Sequence, residues 1–349
     1  MAYDFLKNKW SNFERDILDK KLFLFGASQK CQKFMQRYGE RLGGRIEAIC
    51  DNNYTKQGQL FCKIKIVSPD ELVRYNAEEI VVLITSAYMR EIAEQLEEMG
   101  IYNYYLSDML NESKKMWLGA IPESAQAEIK ELRELLEDDQ SKQLLDSIIE
   151  KRNNGIKVWY DLNDHTGYFD TGIVELKPGD SFIDGGAYIG DTVDEALSRA
   201  EIKKIWAYEP DEQNYHLLAQ KYGKQTNITC KCAGLWSDNG VLSFDSVGNI
   251  GSSIKEDGSV RIQTIALDKD IDEEVNFIKL DIEGAEIEAL TGAEQLIKKY
   301  RPKLAICVYH KQEDLWKIPL LIKKMVPEYH IYLRHQSDYF YDTVMFAYV

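Results

Sequence analysis

Phe182-Ile183-Asp184-Gly185-Gly186-Ala187-Tyr188-Ile189-Gly190-Asp191-Thr192 is the stretch on which the reading of this chain turns. Residues 181–183 form a short apolar run of the kind a buried strand shows. The run stops at an acid and two glycines, a third glycine follows at Gly190, and residues 192–200 carry a helical pattern in Val193, Ala196, Leu197 and Ala200. Strand, glycine turn and helix in that order is a nucleotide-binding arrangement. The glycines are expected to let backbone approach a ligand with no Cβ in the way.

Asp184 separates this turn from a dinucleotide fingerprint. A pyrophosphate seeks backbone N–H groups at the positive end of a helix, and a carboxylate just before the glycines would repel it. The expected ligand carries no phosphate and bears a cation. S-adenosylmethionine, with an amine, a sulfonium and a nucleoside, has that chemistry.

Outward from the turn, the α/β alternation continues. Residues 204–208 read as a strand ending at Glu209-Pro210, followed by a helix over 211–222, a strand at 228–232 and the segment Ala233-Gly234-Leu235-Trp236-Ser237-Asp238. Residues 241–245 and 260–266 read as paired antiparallel strands. Residues 275–280 are continuously apolar apart from Asn276 and Lys279, which suits a central strand buried on both faces. They end at Asp281-Ile282-Glu283-Gly284-Ala285-Glu286, and a helix is expected to run from there to Tyr300. Residues 303–309 form another strand ending at His310, followed by a helix over 315–325 and closing strands at 330–333 and 343–349. In an open α/β sheet the ligand lies beyond the carboxyl ends of the strands. Four such ends carry polar groups here: Asp184, Glu209, Asp281 and His310. Glu209 can accept both hydroxyls of a ribose or serve as a helix-terminal charge. Ala233 to Asp238 would flank an adenine, through Trp236 or Asp238, unless Trp236 is core.

Before the turn lies a second, smaller α/β pattern. Residues 21–26 are a strand ending in glycine, Gly26-Ala27-Ser28-Gln29-Lys30-Cys31 is a G-x-G-x-x-G turn short of two glycines, and Asp51 stands where a ribose-binding acid belongs. Strands at 46–50, 63–67, 80–85 and 102–106, and helices after Ser68-Pro69-Asp70 and before Gly100, complete a Rossmann-like unit over residues 1–107. It either binds a nucleotide or has kept the shape and lost the ligand. Residues 108–154 read as a helical connector or dimer-forming arm whose apolar stripes need cover. Residues 155–349 form the larger domain.

The chain has 349 residues and a net charge of -15, which argues against nucleic acid, because phosphate contacts need a basic face. No apolar run reaches the roughly 20 residues of a membrane span, and the start lacks the apolar core of a signal peptide. A cytoplasmic protein is expected. The six cysteines, Cys31, Cys50, Cys62, Cys230, Cys232 and Cys307, form no C-x-x-C pair and read as buried free thiols.

F-I-D-G-G-A-Y-I-G-D-T, then Y-E-P, then F-I-K-L-D-I-E-G-A-E with L-T-G-A behind it, resemble the FkbM family of S-adenosylmethionine-dependent methyltransferases over about residues 167–349. The resemblance implies a class I methyltransferase fold, a seven-stranded sheet with an antiparallel last strand, and O-methylation of sugar or natural-product hydroxyls. It implies that Asp184, Gly186 and Gly190 line the methionine part of the cofactor, with Gly185, Ala187, Tyr188 and Thr192 in the same loop. Glu209 and Pro210 would meet the ribose, and Ala233 and Trp236 the adenine. Asp281 and Glu283 would face the methyl group and the acceptor. The first unit resembles the Rossmann-like domains appended to some polysaccharide-biosynthesis proteins.

A sugar hydroxyl is a poor nucleophile, so a base must take its proton during transfer. His310, Asp281 and Glu283 are the candidates, and His310 has the best-suited ordinary pKa. The carboxylate spacing is not diagnostic of a metal, and none is predicted. The expected partner is a small-molecule or glycan acceptor, with a homodimer through the connector or first unit. The competing reading is a non-catalytic sugar-nucleotide or cofactor-binding scaffold in surface-polysaccharide assembly.

Overall fold

The computed structural model describes residues 7–42, 44–110, 119–244 and 260–349. Two units cluster separately. Met1–Trp117 and Asn154–Asp161 form one, Leu118–Asn153 and Leu162–Val349 the other. Most of the stretch read as a connector therefore groups with the second unit, and the segment after Asn153 returns to the first.

In the first unit α1 (Trp10–Asp19) and α2 (Gln29–Leu42) alternate with β1 (Lys21–Phe25) and β2 (Ile46–Cys50). A hairpin of β3 (Leu60–Phe61) and β4 (Ile64–Val67) follows, then β5 (Ile80–Ile84), α3 (Met89–Glu98) and β6 (Tyr104–Leu106). The sheet order is β3-β4-β2-β1-β5-β6, parallel except at the β3–β4 edge. β5 is buried along its whole length, as an apolar run between two helical layers should be. Ser68 caps the 3-10 turn Pro69–Arg74 through its Oγ, and Gly100 takes the left-handed conformation after α3 (φ 75°).

The second unit opens with α4 (Gln126–Leu135) and α5 (Asp139–Asn153). The chain breaks between them where Leu136 bridges Ile331 and Glu137 N donates to Ile331 O. Their apolar stripes are covered within the unit: Ile129 and Leu132 are buried on α4, Leu144, Leu145 and Ile148 on α5. The need for an external cover that suggested a dimer arm is thereby removed for these helices.

β7 (Ser181–Gly185), α6 (Asp191–Arg199), β8 (Lys204–Tyr208), α7 (Glu212–Tyr222) and β9 (Ile228–Lys231) make the first half of the large sheet. β10 (Gly234–Leu235), β11 (Gly240–Phe244) and β12 (Val260–Ile265) form a small separate sheet, with β11 and β12 antiparallel. α8 (Leu267–Asp270), β13 (Phe277–Leu280), α9 (Glu286–Thr291), α10 (Glu294–Tyr300), β14 (Lys303–Cys307), α11 (Asp314–Met325), β15 (His330–His335) and β16 (Thr343–Tyr348) complete the unit. The seven-stranded order is β15-β16-β14-β13-β7-β8-β9. β16 runs antiparallel to both neighbours, while β14, β13, β7, β8 and β9 are parallel. Phe169, Phe182 and Phe277 pack together in its core with centroids 5.2 to 5.8 Å apart, Phe182 edge-on to the other two.

The single helix expected up to Tyr300 is two, split at Gly292. A Cβ there would lie 2.1 Å from the Trp236 carbonyl oxygen, so the backbone is pressed against the β10 segment. The cysteines also differ from expectation. Cys31, Cys50 and Cys307 are buried, Cys230 is half-buried, and Cys62 and Cys232 are exposed, because each of the last two stands at a turn beyond its strand. Among the described residues no helix is long and apolar enough to cross a membrane.

Candidate active site

Because β7, β8, β13 and β14 are parallel neighbours, their carboxyl ends lie along one edge of the sheet, and that edge carries Asp184, Glu209, Asp281 and His310. Lys279 is the one charge in the buried strand β13, and its register partner on β7 is Asp184. Its Nζ lies 3.0 Å from Asp184 Oδ1 and donates to the carbonyls of Gly185 (3.2 Å) and Gly186 (2.8 Å). Burial pulls the ammonium toward deprotonation, but Asp184 and Asp281 outweigh it and hold the proton on Lys279. Asp184 itself is 0% exposed. It pairs with Lys279 through Oδ1, while its Oδ2 is buried with no hydrogen-bond partner. It anchors the lysine that grips the loop.

The second glycine is required by the protein's own packing. Gly186 has φ 75°, and a Cβ on it would fall 1.9 Å from the Asp281 carbonyl oxygen. The close approach is to the end of β13. Gly186 N and Ala187 N both donate to Tyr208 O, Ala187 is fully buried, and Thr192 is buried in the first turn of α6. Tyr188 and Ile189 are the exposed members of the loop, and Tyr188 is held at φ 47° in the left-handed region, where a non-glycine residue is strained. Its N–H donates to Glu209 Oε2 (2.8 Å), while Asp211 N donates to Glu209 Oε1 (2.9 Å). Burial pushes the Glu209 carboxyl up, against those amide bonds. Among the described residues it has no ion-pair partner within 4.0 Å. Pro210 is half-buried beside it, and a Cβ on Gly234 would lie 3.8 Å from Pro210 Cβ, which brings the segment after Ala233 next to this tip. Trp236 is half-buried, and its N–H donates to Ile265 O.

The other half of the edge is a cluster of acids around one imidazole. Asp281 accepts from Tyr309 OH at Oδ1 (3.1 Å) and from Tyr168 OH at Oδ2 (3.2 Å). Burial raises its pKa, but Lys279, His310 and Tyr309 prevail and hold it below the usual range. His310 Nδ1 lies 2.8 Å from Glu286 Oε1, and its Nε2 lies 3.3 Å from Asp281 Oδ1 and 3.7 Å from Glu283 Oε2. That Nε2 is buried and has no aligned hydrogen-bond partner. Burial would lower the His310 pKa, yet Glu286, Asp281 and Glu283 raise it to about 9. Glu283 sits at φ 57° with its side chain 45% exposed, and burial with neighbouring acids pushes its carboxyl up. Among the described residues no group of three or more His, Cys, Asp and Glu is arranged to hold a metal.

Sequence reasoning passed over Lys279, Glu286, Tyr309 and Tyr168. A lone charge in an apolar strand flags Lys279, the D-I-E-G-A-E block contains Glu286, and Tyr309 precedes His310. Tyr168 carries no local signal, since its partner Asp281 is 113 residues away.

In the first unit Asp51 is also occupied. Its Oδ2 accepts from Ala27 N (2.8 Å) and from Lys56 Nζ (2.9 Å), and Lys56 Nζ also donates to Ala27 O (3.0 Å).

Residues 184–340 match the family model described as the methyltransferase FkbM domain, and residues 18–106 match one described as C2185-like, N-terminal. Residues 184–340 thus form an FkbM methyltransferase domain. The chain is similar to the crystal structure of methyltransferase FkbM from Methylobacillus flagellatus KT, at 22% identity and TM-score 0.66, covering 99% of this chain and 95% of that one. That likeness is one of fold, with the second unit in the class I Rossmann-like methyltransferase architecture. An rRNA methylase from Streptococcus thermophilus matches at 14% identity and TM-score 0.32, over 50% of this chain and 88% of that one. Aeropyrum pernix fibrillarin in complex with S-adenosyl-L-methionine matches at 14% and 0.33, over 51% and 70%. No curated protein matches the sequence.

Proposed function

We propose that the second unit is an S-adenosylmethionine-dependent methyltransferase that methylates a hydroxyl of a sugar or natural product. The observation that carries this reading is the shared strand-end edge of an FkbM domain, where Glu209, Asp281, Glu283 and His310 are gathered. The donor set suits a cationic, phosphate-free nucleoside. Glu209 lacks an ion-pair partner among the described residues, the acids would repel phosphate, and His310 Nε2 is buried with no hydrogen bond.

When bound, S-adenosylmethionine supplies a methyl group already activated by its sulfonium. The chain's own work is then alignment and proton removal. Glu209 would accept the ribose hydroxyls, and exposed Tyr188 would cover the nucleoside. Glu283 and Asp281 would orient the acceptor, and His310 Nε2 would take the hydroxyl proton as the oxygen bonds to the methyl carbon. The cofactor would supply the leaving group, its sulfur keeping the carbon–sulfur electron pair. In the free chain His310 holds its proton at neutral pH, its pKa being raised to about 9. A cationic ligand held at this edge would oppose that charge and lower the His310 pKa, leaving Nε2 able to accept a proton.

The test is a calorimetric titration with S-adenosylhomocysteine and NAD, followed by labelled methyl transfer to a panel of sugar and phenolic acceptors. Binding of the first, none of the second, and label on oxygen are expected. No binding of S-adenosylhomocysteine would sink the reading.

A further inference from the structure

We infer that Glu286 is a positioning residue for His310: through Nδ1 it fixes the ring so that Nε2 is the nitrogen presented to Asp281, Glu283 and an incoming hydroxyl. This rests on the reading of His310 as the base.

Glu286 stands in the first turn of α9 and is 0% exposed. Its Oε1 takes two partners, the backbone N–H of Ile282 (3.0 Å) and His310 Nδ1 (2.8 Å). One oxygen therefore ties the loop that bears Asp281 and Glu283 to the strand end that bears His310. A carboxylate only accepts, so the Nδ1 facing it must carry the hydrogen. When the ring is neutral, its lone pair is then on Nε2. The carboxylate's second oxygen is buried with no hydrogen-bond partner. An unsatisfied buried acceptor is costly, and an amide in its place would serve the loop bond equally well. The amide could not choose the tautomer, because it can donate as well as accept. Gly284 leaves room for the arrangement: a Cβ on it would lie 3.2 Å from Lys311 Cε and 3.6 Å from His310 Cβ.

The charged groups around the ring come from several elements. They are Glu286 on α9, Asp281 and Glu283 before it, Lys311 and Asp314 at the start of α11, and Asp342 before β16. Glu286 is the nearest of the three carboxylates within ion-pair distance.

The experiment is nitrogen-15 NMR of the imidazoles in the full chain, for the native protein, Glu286→Gln and His310→Gln. His310→Gln identifies the signal among the five histidines. The native His310 is expected to keep Nδ1 protonated throughout its titration. In Glu286→Gln its pKa should fall by about one unit or more. Turnover should drop about a hundredfold, with S-adenosylhomocysteine affinity unchanged and the acid limb of the kcat profile displaced by the same interval. A native His310 with hydrogen on Nε2 and a bare Nδ1 overturns the proposal without any variant. So does an unchanged titration in Glu286→Gln while His310→Gln is inactive, an outcome that leaves His310 as the base. Undiminished turnover in both variants would instead remove His310 as the base, and the positioning role with it.

Discussion

In the first unit the turn after β1 is filled by the chain itself. Asp51 accepts from the Ala27 amide, Lys56 neutralises Asp51, and the same ammonium caps the Ala27 carbonyl. In the second unit the turn after β7 is gripped from the opposite side. Lys279 holds the Gly185 and Gly186 carbonyls and is neutralised by Asp184, one residue before them. The acid at the end of the neighbouring strand, Glu209, has no ion-pair partner among the described residues. Two turns built on the same strand–turn–helix plan thus differ in where their lysine sits. In the first unit the lysine pairs with the acid of the next strand, and in the second it braces the loop and leaves Glu209 without an ion-pair partner among the described residues.

The largest effect should come from the open turn's far side. His310→Ala is expected to lower kcat by about 10²–10⁴-fold, the range for loss of a general base, with S-adenosylhomocysteine binding retained by calorimetry. Turnover within threefold of native would show that the base lies elsewhere. Next is the brace. Lys279→Met leaves Asp184 buried and unpaired, and removing one member of a buried pair costs about 3–5 kcal/mol. Urea unfolding followed by a probe in the second unit measures it, and a change under 1 kcal/mol would refute the brace.

A third contrast concerns pH. The folded pKa of His310, raised to about 9, lies above its ordinary 6.5. Its stabilising contribution is full below about pH 6.5 and is lost as pH rises through about 9, on the order of 3 kcal/mol in all. Urea midpoints of native and His310→Gln protein should therefore converge over that interval, and parallel curves would contradict the raised pKa. Smallest is the surface pair. Lys56 is 40% exposed beside Asp51, so Lys56→Met should cost no more than about 1 kcal/mol. A loss matching that of Lys279→Met would erase the distinction between the two turns.

The layout of the second unit was legible in the sequence because its strands are short apolar runs that end in Asp, Glu or His, and the parallel order places those ends together. The β11–β12 pair follows from such patterning, whereas the class I fold and the antiparallel β16 are what the resemblance to the FkbM family implied. What the sequence hid was the direction each group faces. The partner of Asp184, Lys279, stands 95 residues away in the chain. The close neighbour that Gly186 accommodates, the Asp281 carbonyl, comes from another strand end. His310 looks like a free base until Glu286, Asp281 and Glu283 are gathered around it. Each is a long-range pairing that periodicity does not encode. The α4–α5 helices show the same limit: their apolar stripes are visible in the sequence, but the cover supplied by their own unit is not.

The central claim is that the acid after β8, and not the acid after β2, holds the nucleoside. Calorimetric titration of S-adenosylhomocysteine into native protein, Glu209→Ala and Asp51→Asn tests it directly. One site per native chain is expected, with affinity weakened about a hundredfold by Glu209→Ala, as loss of charged hydrogen bonds implies, and unchanged in Asp51→Asn. Full affinity in Glu209→Ala, or its loss in Asp51→Asn, would contradict the account.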